Sequence, residues 1–245
     1  MTCLICRRKV YVVVKKYSKW YILRAIHHSL KRIGGEKMED STAFDTTNTR
    51  IAVGMVLLFL GFIGLITLDW AWWSLFLGGI LAWGVMFQSE SRFVLKMPKQ
   101  LWIIPLGILI YFIYGILVSR TAEFLGFNWA GSSAVGHLGQ LIWILPFMLM
   151  GEELLGIGVL EAAKSKGLSF LTSTFISALV FGLIHVFAYW DGSIVSTLLH
   201  VLLLQSVARL IFNSIYIRSG RSIWGSWTTH MLVDILALYL AATFG

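Results

Sequence analysis

Apolar residues along this chain come in long, almost unbroken runs rather than in the alternating or amphipathic patterns of soluble strands and helices. Seven such runs stand out, at about 51–68, 70–88, 101–118, 138–163, 168–189, 194–216 and 222–243. A bilayer core about 30 Å thick takes about 20 helical residues to cross, so each run has close to the length of one membrane-spanning helix. The joint between the first two is the weakest, since "LDWAW" alone separates them. The pattern predicts an all-α polytopic membrane protein, a bundle of about seven transmembrane helices.

Charge gives the bundle a direction. Of the 20 Lys and Arg residues, 11 lie in the first 50 positions. Arg92, Lys96 and Lys99 follow the second run, Lys164 and Lys166 the fourth, and Arg218 and Arg221 the sixth, while the opposite side holds Arg120. Basic loops stay in the cytoplasm, so the N-terminus is expected inside and the C-terminus outside, in a multi-pass protein of the cell membrane. The net charge of +8 is thereby explained by topology, and no nucleic-acid partner is implied. Composition agrees, with 58% hydrophobic and 13% charged residues.

Two regions follow: a basic cytoplasmic segment at 1–50 and a transmembrane bundle at 51–245. In the first, Trp20, Tyr21, Leu23, Ile26 and Leu30 interleave with basic residues, as in a helix lying on an anionic leaflet. The segment also reads as a dispensable leader with Met38 as the working start. Deleting residues 1–37 is expected to leave the bundle folded. Cys3 and Cys6 form a lone CxxC without the second pair of a structural zinc site. The run "VYVVV" is too short for the apolar region of a signal peptide.

Chemistry-bearing side chains inside the runs are confined to the last four: Glu152, Glu153, Glu161, His185, His200, Arg209, Asn213, His230 and Asp234. Each charged residue at membrane depth costs roughly 2.5–3.5 kcal/mol and is a functional candidate by default. His230 and Asp234, four apart, share a helix face, as do Phe181 and His185. Glu152 and Glu153 point about 100° apart around their helix and cannot face one centre equally. A glutamate and two histidines from three helices suit the activation of water, with the carboxylate as base and the imidazoles polarising a carbonyl. The same residue types make a His₂Glu zinc site, and spacing does not separate the two. A buried polar network that fixes helix packing is the structural alternative.

"EELLGIG" at 152–158, "FGLIH" at 181–185 and "HMLVD" at 230–234 resemble, in order, the EExxxR, FxxxH and HxxxN or HxxxD motifs of the CPBP family (CAAX protease and bacteriocin-processing enzymes). That family comprises intramembrane proteases and includes the type II CAAX prenyl endopeptidases. The resemblance spans roughly 138–243, and "GRSIWGSWTTH" leading into the third motif is also similar. It implies an intramembrane endopeptidase acting on a peptide or membrane-protein substrate. Glu152 would activate water with Glu153 as its supporting neighbour, His185 and His230 would be the site histidines, and Asp234 would lie one turn beyond. The family is often called metalloprotease-like, so the cofactor expectation is a divalent metal such as zinc, held by Glu152, His185 and His230, or none.

One position departs from the pattern: the motif arginine falls on Ile157, which can neither neutralise a carboxylate nor donate a hydrogen bond. Without a cation, buried Glu153 is expected to keep its proton. Arg209 is the sole replacement within a run, and the expectation for it is snorkelling or pairing with a backbone carbonyl rather than with Glu153. The loss also raises a second reading, a degenerate member acting as a membrane binding, bacteriocin-immunity or scaffold protein. A third, an ion or proton pathway, lacks the repeated or broken helix pairs of transporters.

Overall fold

Each apolar run folds as a helix: α1 (Asn48–Thr67), α2 (Ser74–Phe87), α3 (Ile103–Phe124), α4 (Leu145–Ser165), α5 (Phe170–Ile184), α6 (Ile194–Arg218) and α7 (Ile223–Phe244). The structure is a computed structural model that describes residues 43–244 except 130 and 133. Most of the basic segment assigned to 1–50, the Cys3 and Cys6 pair and the expected tolerance of the 1–37 deletion lie outside the described residues. Among the described residues there is no strand. A 3₁₀ segment, Gln88–Leu95, follows α2, and a single helical turn, Leu138–Leu141, precedes α4.

Helices α1, α3 and α6 are long and apolar enough to cross a membrane, and α5 is a shorter apolar helix. Burial is inverted relative to a soluble domain. Val56, Phe59 and Leu60 of α1 and Ile113, Ile116 and Leu117 of α3 are exposed, whereas Glu153, Glu161, Arg209 and Asn213 are fully buried. Such a surface is stable against hydrocarbon, where the polar groups must find partners inside the protein.

Several boundaries differ from those expected. The fourth run was expected to be helical from 138, but Pro146 lies in the first turn of α4, where its missing N–H is harmless, and the helix starts afresh there. The fifth run was expected to reach 189, yet α5 stops at Ile184 with His185 as its C-cap, the His185 N–H donating to the Gly182 carbonyl at 3.1 Å. Within α6, Val201–Gln205 is wound as a π-turn, which hydrophobicity alone does not signal. Side-chain oxygens set other ends, with Thr47 accepting from the Arg50 N–H before α1 and Ser169 from the Thr172 N–H before α5.

Helix α4 sits at the centre, packed against α2, α5, α6 and α7. Its residues from Glu153 to Ala162 are all buried, as expected of a helix enclosed on every side. Small residues allow the close approaches. A Cβ on Gly78 would stand 2.9 Å from the Leu57 carbonyl of α1, and one on Gly151 would stand 2.7 Å from the Phe76 nitrogen of α2. Trp83 of α2 donates its indole N–H to the Leu154 carbonyl at 2.8 Å, tying α2 to the helix that carries the two glutamates.

Candidate active site

The adjacent glutamates of α4 face different surroundings, as their angular separation requires. Glu152 turns toward α5 and α7: its Oε2 lies 3.6 Å from His185 Nε2 and 3.8 Å from His230 Nε2, and its side chain is 16% exposed. Glu153 turns inward and is sealed from solvent. Its carboxylate accepts from Arg209 Nη1 at 2.8 Å and Nη2 at 3.1 Å, and Oε1 also accepts from His230 Nδ1 at 3.0 Å.

The expected fate of Arg209 is therefore corrected. It neither snorkels nor rests on a carbonyl. It makes a two-pronged ion pair with Glu153, which is thus held as a carboxylate. The Arg209 carbon Cζ stands 5.5 Å from the ring centres of both Phe181 and Phe212, and these rings wall the pair from solvent. Its Nε donates to Asn213 Oδ1 at 2.8 Å, Asn213 Nδ2 donates to Ser177 Oγ at 3.0 Å, and Ser177 Oγ donates to the Gly156 carbonyl at 2.7 Å. The relay starts on α6, passes through α5 and ends on the backbone of α4. Gly156 makes room for it, since a Cβ there would meet Arg209 Nη1 at 2.7 Å. Ile157, at the position of the motif arginine, is buried in the apolar cluster with Leu154 and Leu160.

Both imidazoles are oriented by the same device. His185 Nδ1 is 2.7 Å from the Phe181 carbonyl, which accepts only, so Nδ1 carries the proton. His230 Nδ1 likewise donates to the Glu153 carboxylate. Each Nε2 is left facing Glu152. The rings are packed as well as bonded, with Phe181 centred 4.6 Å from His185 and Phe212 centred 4.6 Å from His230. Asp234, one turn along α7, has Oδ2 3.8 Å from His230 Nε2.

Glu152, Glu153, His185, His230 and Asp234 thus come together, with Arg209 and Asn213 behind them. Glu161 does not join them. It accepts from Arg221 Nη2 at 2.6 Å and from the Tyr216 hydroxyl at 2.8 Å, where α6 ends and α7 begins. His200 stacks on Trp129 at 4.9 Å and packs against Tyr189 at 4.6 Å. Sequence reasoning missed Ser177, Phe212 and Gly156. Phe212 was detectable, because it lies three positions from Arg209 on the same face of α6.

Glu152 and the two histidines have the donor types of a zinc site, and each histidine has the oriented outer partner such sites use. Their separations are not those of a closed ligand set, and among the described residues no three His, Cys, Asp or Glu side chains form a metal-holding group. What the arrangement provides is a reachable carboxylate flanked by two aimed imidazoles.

Comparison with known families agrees with the motif reading. Residues 134–236 match the model of the Rce1-like family, described as "Type II CAAX prenyl endopeptidase Rce1-like". The match starts ahead of the Leu138–Leu141 turn and ends two residues after Asp234, covering the part of the chain that carries all three motifs. It supports the CPBP and CAAX protease family, whose members are membrane-embedded proteases. No curated protein and no solved structure matches the chain significantly.

Proposed function

We propose that this chain is a multi-pass intramembrane endopeptidase of the cell membrane, hydrolysing a peptide bond of a peptide or membrane-protein substrate near the membrane surface. The observation that carries the reading is the separation of two neighbouring glutamates into different environments. Glu152 is partly exposed and lies within 4 Å of two imidazole Nε2 atoms, whereas Glu153 is sealed and fully engaged.

Glu152 takes a proton from water as the water oxygen bonds to the scissile carbonyl carbon. The carbonyl oxygen becomes an oxyanion, and a histidine in its doubly protonated form, its Nδ1–H held by the outer acceptor, donates Nε2–H to it. When the C–N bond breaks, Glu152 returns the proton to the leaving amine. Glu153 does not touch the substrate in this scheme. Held by Arg209, it fixes the His230 ring through Nδ1 so that Nε2 faces the reaction. Asp234 acts on the same imidazole from the other side.

The competing reading, a degenerate member acting as a binding or immunity protein, rests on Ile157. Arg209, paired with Glu153 from α6, offers a cation where Ile157 has none, which supports the enzyme reading. The test is turnover of a peptide library by the full chain in liposomes, with products identified by mass spectrometry. Parent activity is expected, with Glu152→Gln slower by about 10²–10⁴-fold. Equal turnover by parent and Glu152→Gln would refute the assignment.

A further inference from the structure

The face of α6 turned away from Arg209 forms, with α3, an elongated groove of about 320 Å³. Ile103, Leu106 and Ile110 of α3 line one wall, and Leu210, Ile211 and Ile215 of α6 line the other. Gly107 floors the groove where the helices come closest, and a Cβ there would collide with the Ile215 side chain. The lining hydroxyl, Ser214 Oγ, donates back to the Leu210 carbonyl at 2.8 Å, so the walls present an apolar surface.

One end of the groove is different. Trp102 and Arg218 line it, and both are exposed. The Lys99 N–H donates to the Ser219 carbonyl at 3.0 Å and its exposed side chain lies over Gly220, which brings a second cation to the C-terminal end of α6. Among the described residues neither cation is paired with a carboxylate. From Ile103 to Ile110 the groove covers about 10 Å along α3 at 1.5 Å per residue, within the roughly 15 Å of one leaflet. A tryptophan and Arg218 at the mouth of an apolar channel of that depth, with Lys99 outside it, match the interface, the phosphate level and the acyl region of a single leaflet.

From this charge complementarity and depth we infer that the groove binds one acyl chain of an anionic membrane phospholipid, with the headgroup phosphate at Arg218 and Lys99 adding positive charge outside the groove mouth. The site is separate from the glutamate and histidine cavity. Arg209, Phe212 and Asn213 point into the protein, and Leu210, Ile211, Ser214 and Arg218 point into the groove. Binding therefore does not depend on peptidase activity.

The test titrates the full chain in detergent with phosphatidylglycerol or phosphatidylcholine of matched acyl chains and counts retained lipids by native mass spectrometry. Because residues 1–50 carry 11 further cations, the readout is the difference between parent and variant. Lys99→Gln and Arg218→Gln are each expected to weaken phosphatidylglycerol binding about fivefold and phosphatidylcholine binding less, because the choline cation offsets the phosphate charge. Leu210→Trp, which fills the groove and keeps both charges, is expected to reduce retention of both lipids. Leu106→Trp does the same from the other wall, should Leu210→Trp fail to match the parent's melting temperature. Unchanged phosphatidylglycerol retention in the charge variants overturns the proposal. So does full retention in the groove-filled variants, because that places the lipid on a basic surface without the groove.

Discussion

Arg209 and Glu153, 56 positions apart, meet through paired N–H···O bonds of 2.8 and 3.1 Å in a region from which water is excluded. A carboxylate and a guanidinium buried together at membrane depth satisfy each other, and neither is tolerable alone. The pair also holds α4 to α6 and sets the acceptor for His230. The cation that pairs with the second of the two adjacent glutamates thus comes from a different helix.

Removing one partner should expose that dependence. Arg209→Ala and Glu153→Gln are each expected to destabilise the fold by about 3–5 kcal/mol, since each leaves a buried polar or charged group unpaired. The double variant should be no worse than either single one. Thermal unfolding in detergent measures the cycle, and additive losses would mean that the two side chains act independently.

Position 157 offers a sign test. Ile157→Arg alone should be destabilising, because it places a second cation in an apolar cluster whose nearby carboxylate already has Arg209. In the Arg209→Ala background the same substitution should restore part of the lost stability and activity, since one turn of helix brings residue 157 near Glu153. Rescue that occurs equally in both backgrounds would show that Arg209 does not fill the arginine role.

Gly156 matters for the space it leaves. Gly156→Ala would put a methyl group 2.7 Å from Arg209 Nη1, a guanidinium pinned by three hydrogen bonds. Overpacking of this kind costs about 1–3 kcal/mol, so the variant should lose stability and turnover together. Its melting temperature and initial rate, measured side by side, check this.

Stability and activity should separate at the exposed end of the site. Glu152→Gln and His185→Ala, on side chains 16% exposed, are expected to slow turnover by about 10²–10⁴-fold while shifting the melting temperature little. His230→Ala should lower both, because that ring is buried between Phe212 and Glu153. A large loss of stability in Glu152→Gln would point to a structural carboxylate rather than a base.

Much of this was legible in the sequence because the signals are local or compositional. A run of about 20 apolar residues has few options other than a membrane helix, since its backbone must hydrogen-bond within itself. Fixed spacing along a helix likewise announced that Phe181 lies under His185, that His230 and Asp234 share a face, and that Glu152 and Glu153 diverge. Three ordered motifs carried the family resemblance that the match over 134–236 supports.

Tertiary structure decided how those faces are matched to one another. Periodicity fixes where a side chain points on its own helix but says nothing about which helix stands opposite, and Ile157 marked a missing cation without naming its substitute. Arg209 answers Glu153 because α6 packs beside α4 at the opening left by Gly156, and because Asn213 and Ser177 tie the guanidinium to the Gly156 carbonyl. The start of α4 at Leu145, the end of α5 at Ile184 and the π-turn of α6 are likewise missing from the hydrophobic pattern. They depend on where backbone hydrogen bonds find partners, and apolar content does not encode that.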